Sequence, residues 1–198
     1  MNTSRLEAFS DGVIAILITI MVLELRVPHG DNFTALEPLF PIFLTYVLSF
    51  VNLGIYWNNH HHMLQATEHI DGRILWANLN LLFWLSLMPF TTGWMGENHF
   101  SSLPTAIYGI DLILAALSYL LLQTLIVRYN GGENTKLKEA VGNDLKGKLS
   151  LVIYAVAIGL AFVNNLISLG LYVLVAAVWL VPDRRIEREV HSGHSSEK

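Results

Sequence analysis

Arg5-Leu6-Glu7-Ala8-Phe9-Ser10-Asp11-Gly12 sets charged and hydrogen-bonding groups at the mouth of a long apolar run, Val13 to Leu25, interrupted only by Thr19 and Glu24. A polar knot so close to a bilayer is costly unless its members find partners, which makes it the first place to look for function. Residues three, four and seven apart share one side of a helix. Ile16, Thr19, Ile20 and Leu23 therefore form a stripe, and Asp11 points about 140° away from Ile16. The acid and the stripe have different tasks. Arg5, Ser10 and Asp11 read as an anchor for the helix end. The stripe reads either as ordinary packing or as the lining of a pathway, in which apolar side chains constrict by dewetting and one hydroxyl meets a partly hydrated ion.

Composition explains why a bilayer enters at once. Of 198 residues, 53% are hydrophobic and 14% charged, with a mean hydropathy of +0.47, whereas soluble domains carry about 25% charged residues. The class is an all-α membrane protein. A net charge of -4 with no dense basic block leaves nucleic-acid binding without support. The absence of cysteine excludes disulfides, thiolate metal sites and cysteine nucleophiles. Glu7 and Asp11, with no small-residue cleavage site after the apolar run, argue against a targeting peptide, so the segment counts as a mature helix.

A spanning helix needs roughly 20 apolar residues. Four runs meet this, at about 6–25, 39–57, 74–95 and 103–127. Pro38 and Pro41 sit near the start of the second, where a missing amide hydrogen is tolerated, and Asp71 is placed to cap the third. The fifth run, Leu149 to Val181, is too long for one upright span, and Asn164-Asn165 near its middle divides it into a hairpin of about 149–163 and 166–181. One long tilted helix is the alternative. Positive charge decides between them, because Lys and Arg concentrate in cytoplasmic loops. With six spans, Arg5, Arg73, Arg128, Lys136, Lys138, Lys146, Lys148, Arg184, Arg185, Arg188 and Lys198 all fall on one side and only Arg26 on the other. The expectation is thus a six-helix membrane domain over 1–182, both ends cytoplasmic, with a polar linker, partly helical at best, over 131–148 and a cytoplasmic tail over 183–198.

The second span ends in Tyr56-Trp57-Asn58-Asn59-His60-His61-His62. A metal site is the tempting reading, but the other histidines scatter to loops and tail, so none is assigned. The sequence supports instead a polar interfacial patch that supplies partners for Ser10 and Asp11. Asn78 and Asn80 read as interhelical hydrogen-bonding residues. Asp111 reads either as part of an ion or proton route or as a pairing group near the external interface.

At this point the residues resemble a known family. Arg5-x-x-x-Phe9-Ser10-Asp11-Gly12, then Ala15-Ile16 and Thr19 through Leu25, is similar to the first-helix signature of the lysosomal-type potassium channels and their single-repeat prokaryotic relatives. Trp57-x-x-His60 and Val181-Pro182-Asp183-Arg184-Arg185 support the likeness. The resemblance implies a homotetramer in the cell (inner) membrane with a central pore lined by the first helix of each subunit. It implies potassium and other monovalent cations as permeant species, no other cofactor, no enzymatic activity and no carbonyl selectivity filter. It also implies roles: Ile16 as the main constriction, Ile20 and Leu23 continuing it, Thr19 as a polar layer, and Arg5, Phe9, Ser10 and Asp11 as a structural network with Trp57 and His60 or a neighbouring histidine. The alternatives are a proton-coupled or proton-permeable transporter, for which no clear internal repeat is found, and a membrane enzyme, weakened by the scattered histidines.

Overall fold

A computed structural model describes residues 3–65, 67, 69–130 and 145–180. Its α-helices are α1 (Thr3–Ile20), α2 (Phe40–Gln65), α3 (Gly72–Glu97), α4 (Ser102–Tyr129), α5 (Leu145–Leu160) and α6 (Asn165–Leu180). A 3₁₀ segment, Met21–Glu24, continues α1, and two more, Phe33–Ala35 and Glu37–Leu39, lead into α2. The first four helices are long and apolar enough to cross a membrane. α5 and α6 have 16 residues each. Each therefore rises about 24 Å, less than the roughly 30 Å of a hydrocarbon core. Residues 161–164 join them, and Asn164 caps α6 by accepting from the amides of Leu166 and Ile167 at 3.1 and 3.3 Å.

Two boundaries differ from the hydropathy reading. α2 continues past Trp57 to Gln65, because His60, Met63 and Leu64 on that last stretch are buried and reward helix where composition alone suggests a loop. α5 begins at Leu145, four residues before the expected span, so 145–148 is the helical part of the expected linker. The expected linker over 131–144 and the tail over 183–198 lie outside the described residues. Asp71 caps α3 as its position suggests: its Oδ1 accepts from the amides of Arg73 and Ile74 at 3.0 and 2.9 Å.

Successive helices alternate in direction. At one end Thr3 donates to the carbonyl of Thr67, and Asn130 at the close of α4 exchanges bonds with the backbone of His69. At that same end Trp179 near the close of α6 donates to Ser150 near the start of α5. At the other end Arg26 pairs with Glu97, and Asn165 donates to the carbonyl of Phe100. The α3–α4 turn holds His99 and Phe100 at φ 50° and 59°. Left-handed backbone is unfavourable for such side chains. It is pinned by the Phe100 amide donating to Met95 and by Thr105 and Asn165 donating to the Phe100 carbonyl.

α3 lies at the centre, with Ile74, Leu81, Leu85 and Met88 wholly buried. Apolar packing alone does not set register in a lipid-like interior, where small residues and polar bonds select the contacts. Ser49, Asn52 and Tyr108 hydrogen-bond across α2 and α4, and Thr92 of α3 joins Ser49. Asn80 donates to Ser118, and Thr91 to Asp111. Gly109 permits the closest approach: a Cβ there would strike the Tyr172 hydroxyl and lie 2.8 Å from Ile158 Cγ1. Tyr172 is fixed by donation to the Thr105 carbonyl at 3.1 Å. Gly109→Ala should therefore cost about 1–3 kcal/mol by overpacking, seen as a lower unfolding temperature in detergent. Gly159→Ala, where a Cβ would meet nothing within 4 Å, should leave that temperature unchanged or raise it.

Candidate functional site

α1 has two unlike faces. Leu6, Ser10, Ile14, Leu17 and Met21 recur at helical spacing and are buried against α2 and α3. The other face is bare. Ile16, Ile20 and Leu23 are 59%, 40% and 75% exposed, and Gly12, Ala15 and Thr19 are exposed beside them. The Thr19 hydroxyl donates to the Ile16 carbonyl at 2.9 Å, so its oxygen still offers lone pairs outward. The helix is apolar almost all round, yet only one side is satisfied within the subunit. The exposed stripe comprises the four residues picked out from spacing.

The base of α1 is tied down by side chains from α2 and α3. Asn78 of α3 makes the central link: its Oδ1 accepts from His60 Nε2 at 2.7 Å and its Nδ2 donates to Ser10 Oγ at 3.0 Å. Ser10 in turn donates to the Leu6 carbonyl at 2.9 Å. All three side chains are fully buried. The chain of donors requires the Nε2–H tautomer of His60. Trp57, one turn before His60 on α2, donates from its indole nitrogen to Asp11 Oδ1 at 3.0 Å. His61 lies at ion-pair distance from Glu7, 2.8 Å, and its ring stacks on Trp57.

Ser10, Asp11, Trp57 and His60 are therefore brought together. Arg5 and Phe9 are not part of this cluster: both are exposed and line a shallow groove with Leu6, Leu75 and Leu79. Arg5 does not reach Asp11, which takes its bond from Trp57 instead. Of the three successive histidines, His60 joins the buried link, through Asn78. Asn78 was legible as a polar residue within a span, but its position between His60 and Ser10 was not. Glu7, Asp11 and His61 bring possible ligand atoms within 4.8 Å of one another. Their contacts with Trp57 and with each other already account for that grouping.

Fold and site together define a polytopic, all-helical membrane protein whose first helix is anchored at its base and bare along one face. Residues 5–89 match the family described as Endosomal/lysosomal potassium channel TMEM175. A potassium channel of Chryseobacterium sp. is 53% identical over 190 residues, covering 96% of this chain and 98% of that one. The crystal structure of a lysosomal potassium-selective channel TMEM175 homolog from Chamaesiphon minutus superposes with a TM-score of 0.80 at 25% identity, over 91% of this chain and 97% of the other. An endosomal/lysosomal proton channel TMEM175 of Danio rerio is 28% identical over 65% of this chain, but only 25% of its own length is matched. The chain belongs to the TMEM175 family, as a prokaryotic-type member.

Asn78→Ala should strand the His60 donor and leave the Ser10 oxygen without its donor in a dry interior, and cost about 1–3 kcal/mol. A double-mutant cycle of Asn78→Ala with Ser10→Ala, read from unfolding temperatures, should be clearly non-additive. Trp57→Phe, which removes a half-exposed bond, should cost less than Asn78→Ala in the same assay.

Proposed function

We propose that the protein is a potassium-permeable cation channel of the prokaryotic cell (inner) membrane, assembled as a homotetramer around a central pore lined by α1 of each subunit. The observation that carries this reading is the bare face of α1. Burial on one side fixes the helix in the subunit, and the other side offers Ile16, Ile20 and Leu23 with a single hydroxyl, Thr19, among them. Four such faces turned to a common axis form a ring of isoleucines that excludes water when tight. Ile16 is the main constriction, Ile20 and Leu23 extend it, and Thr19 supplies the polar layer that touches a partly dehydrated ion.

No Thr-Val-Gly-Tyr-Gly run occurs in the sequence, in keeping with a pore that works without a carbonyl filter. Ser10, Asp11, Trp57 and His60 hold the base of α1, and the exposed Arg5 and Phe9 are available to a neighbouring subunit. Both termini are assigned to the cytoplasm on charge. Arg5, Arg73, Arg128, Lys146 and Lys148 lie toward one end of the subunit and Arg26 toward the other. The names of the bacterial relative and of the solved homologue support potassium as the permeant ion.

Proton permeation is a second reading, favoured by the name of the fish relative and by Asp111. That carboxyl is buried in α4, accepts from Thr91 through Oδ2 at 3.0 Å, and has no partner for Oδ1 among the described residues. Purified protein in planar bilayers under a potassium gradient should give discrete conductance steps that reverse toward the potassium equilibrium potential. Reversal that follows a pH gradient instead selects the proton reading. Ile16→Asn should raise the resting current severalfold by wetting the constriction; an unchanged current removes Ile16 from the gate. Native mass spectrometry should show four chains, and a monomer would refute the pore.

A further inference from the structure

The exposed face of α1 is bordered on both sides by surface that the subunit leaves uncovered. On α2, Phe43, Phe50 and Trp57 recur every seventh residue, and all three are exposed. On α3, Trp76, Phe83 and Phe90 recur at the same interval and are exposed too. Seven residues make about two turns, so each trio forms one stripe along its helix. The stripes lie on opposite sides of α1. Trp57 bonds Asp11 on one side, and on the other Leu75 and Leu79 of α3, the latter one turn before Phe83, form a groove with Arg5, Leu6 and Phe9.

α2 and α3 run antiparallel, and bonds between them fix which residues share a depth: His60 to Asn78 near the inner end, Ser49 to Thr92 nearer the outer. Counted from these bonds, Phe50 stands level with Phe90 and Trp57 with Phe83, to within about 3 Å, the rise of two residues. Rotation about an axis along the membrane normal leaves every residue at its own depth. The α2 stripe of one subunit is thus matched in level to the α3 stripe of the next. The two flanks also differ in charge at the inner end. On the α2 side, Glu7 lies 2.8 Å from His61 and Asp11 takes the Trp57 bond, two carboxylates beside one imidazole. On the α3 side, Arg5 has no ion-pair or hydrogen-bond partner among the described residues. Arg5 and Glu7 point about 200° apart on α1, so they do not face each other within one chain.

We infer that neighbouring copies of this chain join flank to flank, the α3 stripe and Arg5 of one against the α2 stripe and Glu7 of the next. The inference rests on the α1-lined pore proposed above and adds the seam that closes it. A head-to-tail ring brings unlike flanks together, so a guanidinium on one side and carboxylates on the other complement each other at every seam. Phe50 meets Phe90 and Trp57 meets Phe83, in the offset or edge-on contacts that aromatic rings favour. Gly54 lies between Phe50 and Trp57, and a Cβ there would meet nothing within 4 Å, so the notch is open to an opposing ring. Lipid covers apolar stripes as readily, but it does not account for matched depth and opposite charge on the two flanks at once.

The sequence has no cysteine, so single cysteines can be introduced without background. Full-length chains carrying Phe50→Cys and chains carrying Phe90→Cys, with different tags, are co-expressed and oxidised with copper phenanthroline in membranes. A cross-linked dimer bearing both tags should form, severalfold above the yield of either variant alone. Arg5→Cys mixed with Glu7→Cys should do the same at the inner end. Phe90→Cys mixed with Leu117→Cys, which lies on the exposed face of α4, sets the level of random collision. Ile16→Cys chains, which should cross-link to one another around the axis, report on the pore separately. Cross-linking of Ile16→Cys with both mixed pairs at the collision level overturns the seam and leaves the pore reading standing. No cross-linking at any of these positions, with a monomer in native mass spectrometry, overturns both.

Discussion

Three buried side chains, His60, Asn78 and Ser10, form a hydrogen-bonded bridge from α2 through α3 to α1, and the placement of the first helix depends on it. In a bilayer the apolar residues of a helix gain little by leaving lipid for protein, so packing alone holds α1 weakly. A polar bridge in the dry interior supplies what packing lacks, because breaking it strands two donors with no water to receive them. Trp57 reinforces it from the same face of α2 by holding Asp11. Once α1 is fixed at its base in rotation, the choice of which residues are buried and which are bare is also fixed. The stripe from Ile16 to Leu23 faces outward as a result of where Ser10 is held.

The same device recurs deeper in the bundle. Ser49, Asn52, Thr92 and Tyr108 link α2, α3 and α4, while Asn80 to Ser118 and Thr91 to Asp111 link α3 to α4. α3 takes part in most of these links, in keeping with its central position. Glycine completes the scheme where backbones approach closely: a Cβ at Gly96 would lie 2.9 Å from Ile42 Cα, and one at Gly109 would collide with Tyr172. Polar bonds choose the register, and missing side chains allow the distance.

Much of this was legible from the chain alone. The four long helices follow from apolar runs of sufficient length, Asp71 announces the start of α3, and Asn164 marks the break between α5 and α6, because each signal is local. The stripe on α1 follows from spacing. The end of α2 was not legible at Trp57, since Asn58 to His62 look like interface and become helix only when His60 and Leu64 find a core. Which histidine mattered was equally hidden, as three identical side chains differ only in the direction helical winding gives them. The partner of Asp11 is a matter of packing as well: Trp57 lies 46 positions away, and although the resemblance put it in the network, nothing in the spacing reports that its indole, and not the guanidinium of Arg5, reaches that carboxylate.

The tighter winding of Met21–Glu24 alters the shape that α1 presents. Each 3₁₀ residue advances about 120° around the axis instead of about 100°, so the three steps from Ile20 carry Leu23 about 60° further round than unbroken α winding would. Leu23 is accordingly eclipsed with Ile20, directly above it, and is the barest of the three. What unbroken α winding would stagger, the tighter turn stacks, its upper tread directly over the middle one.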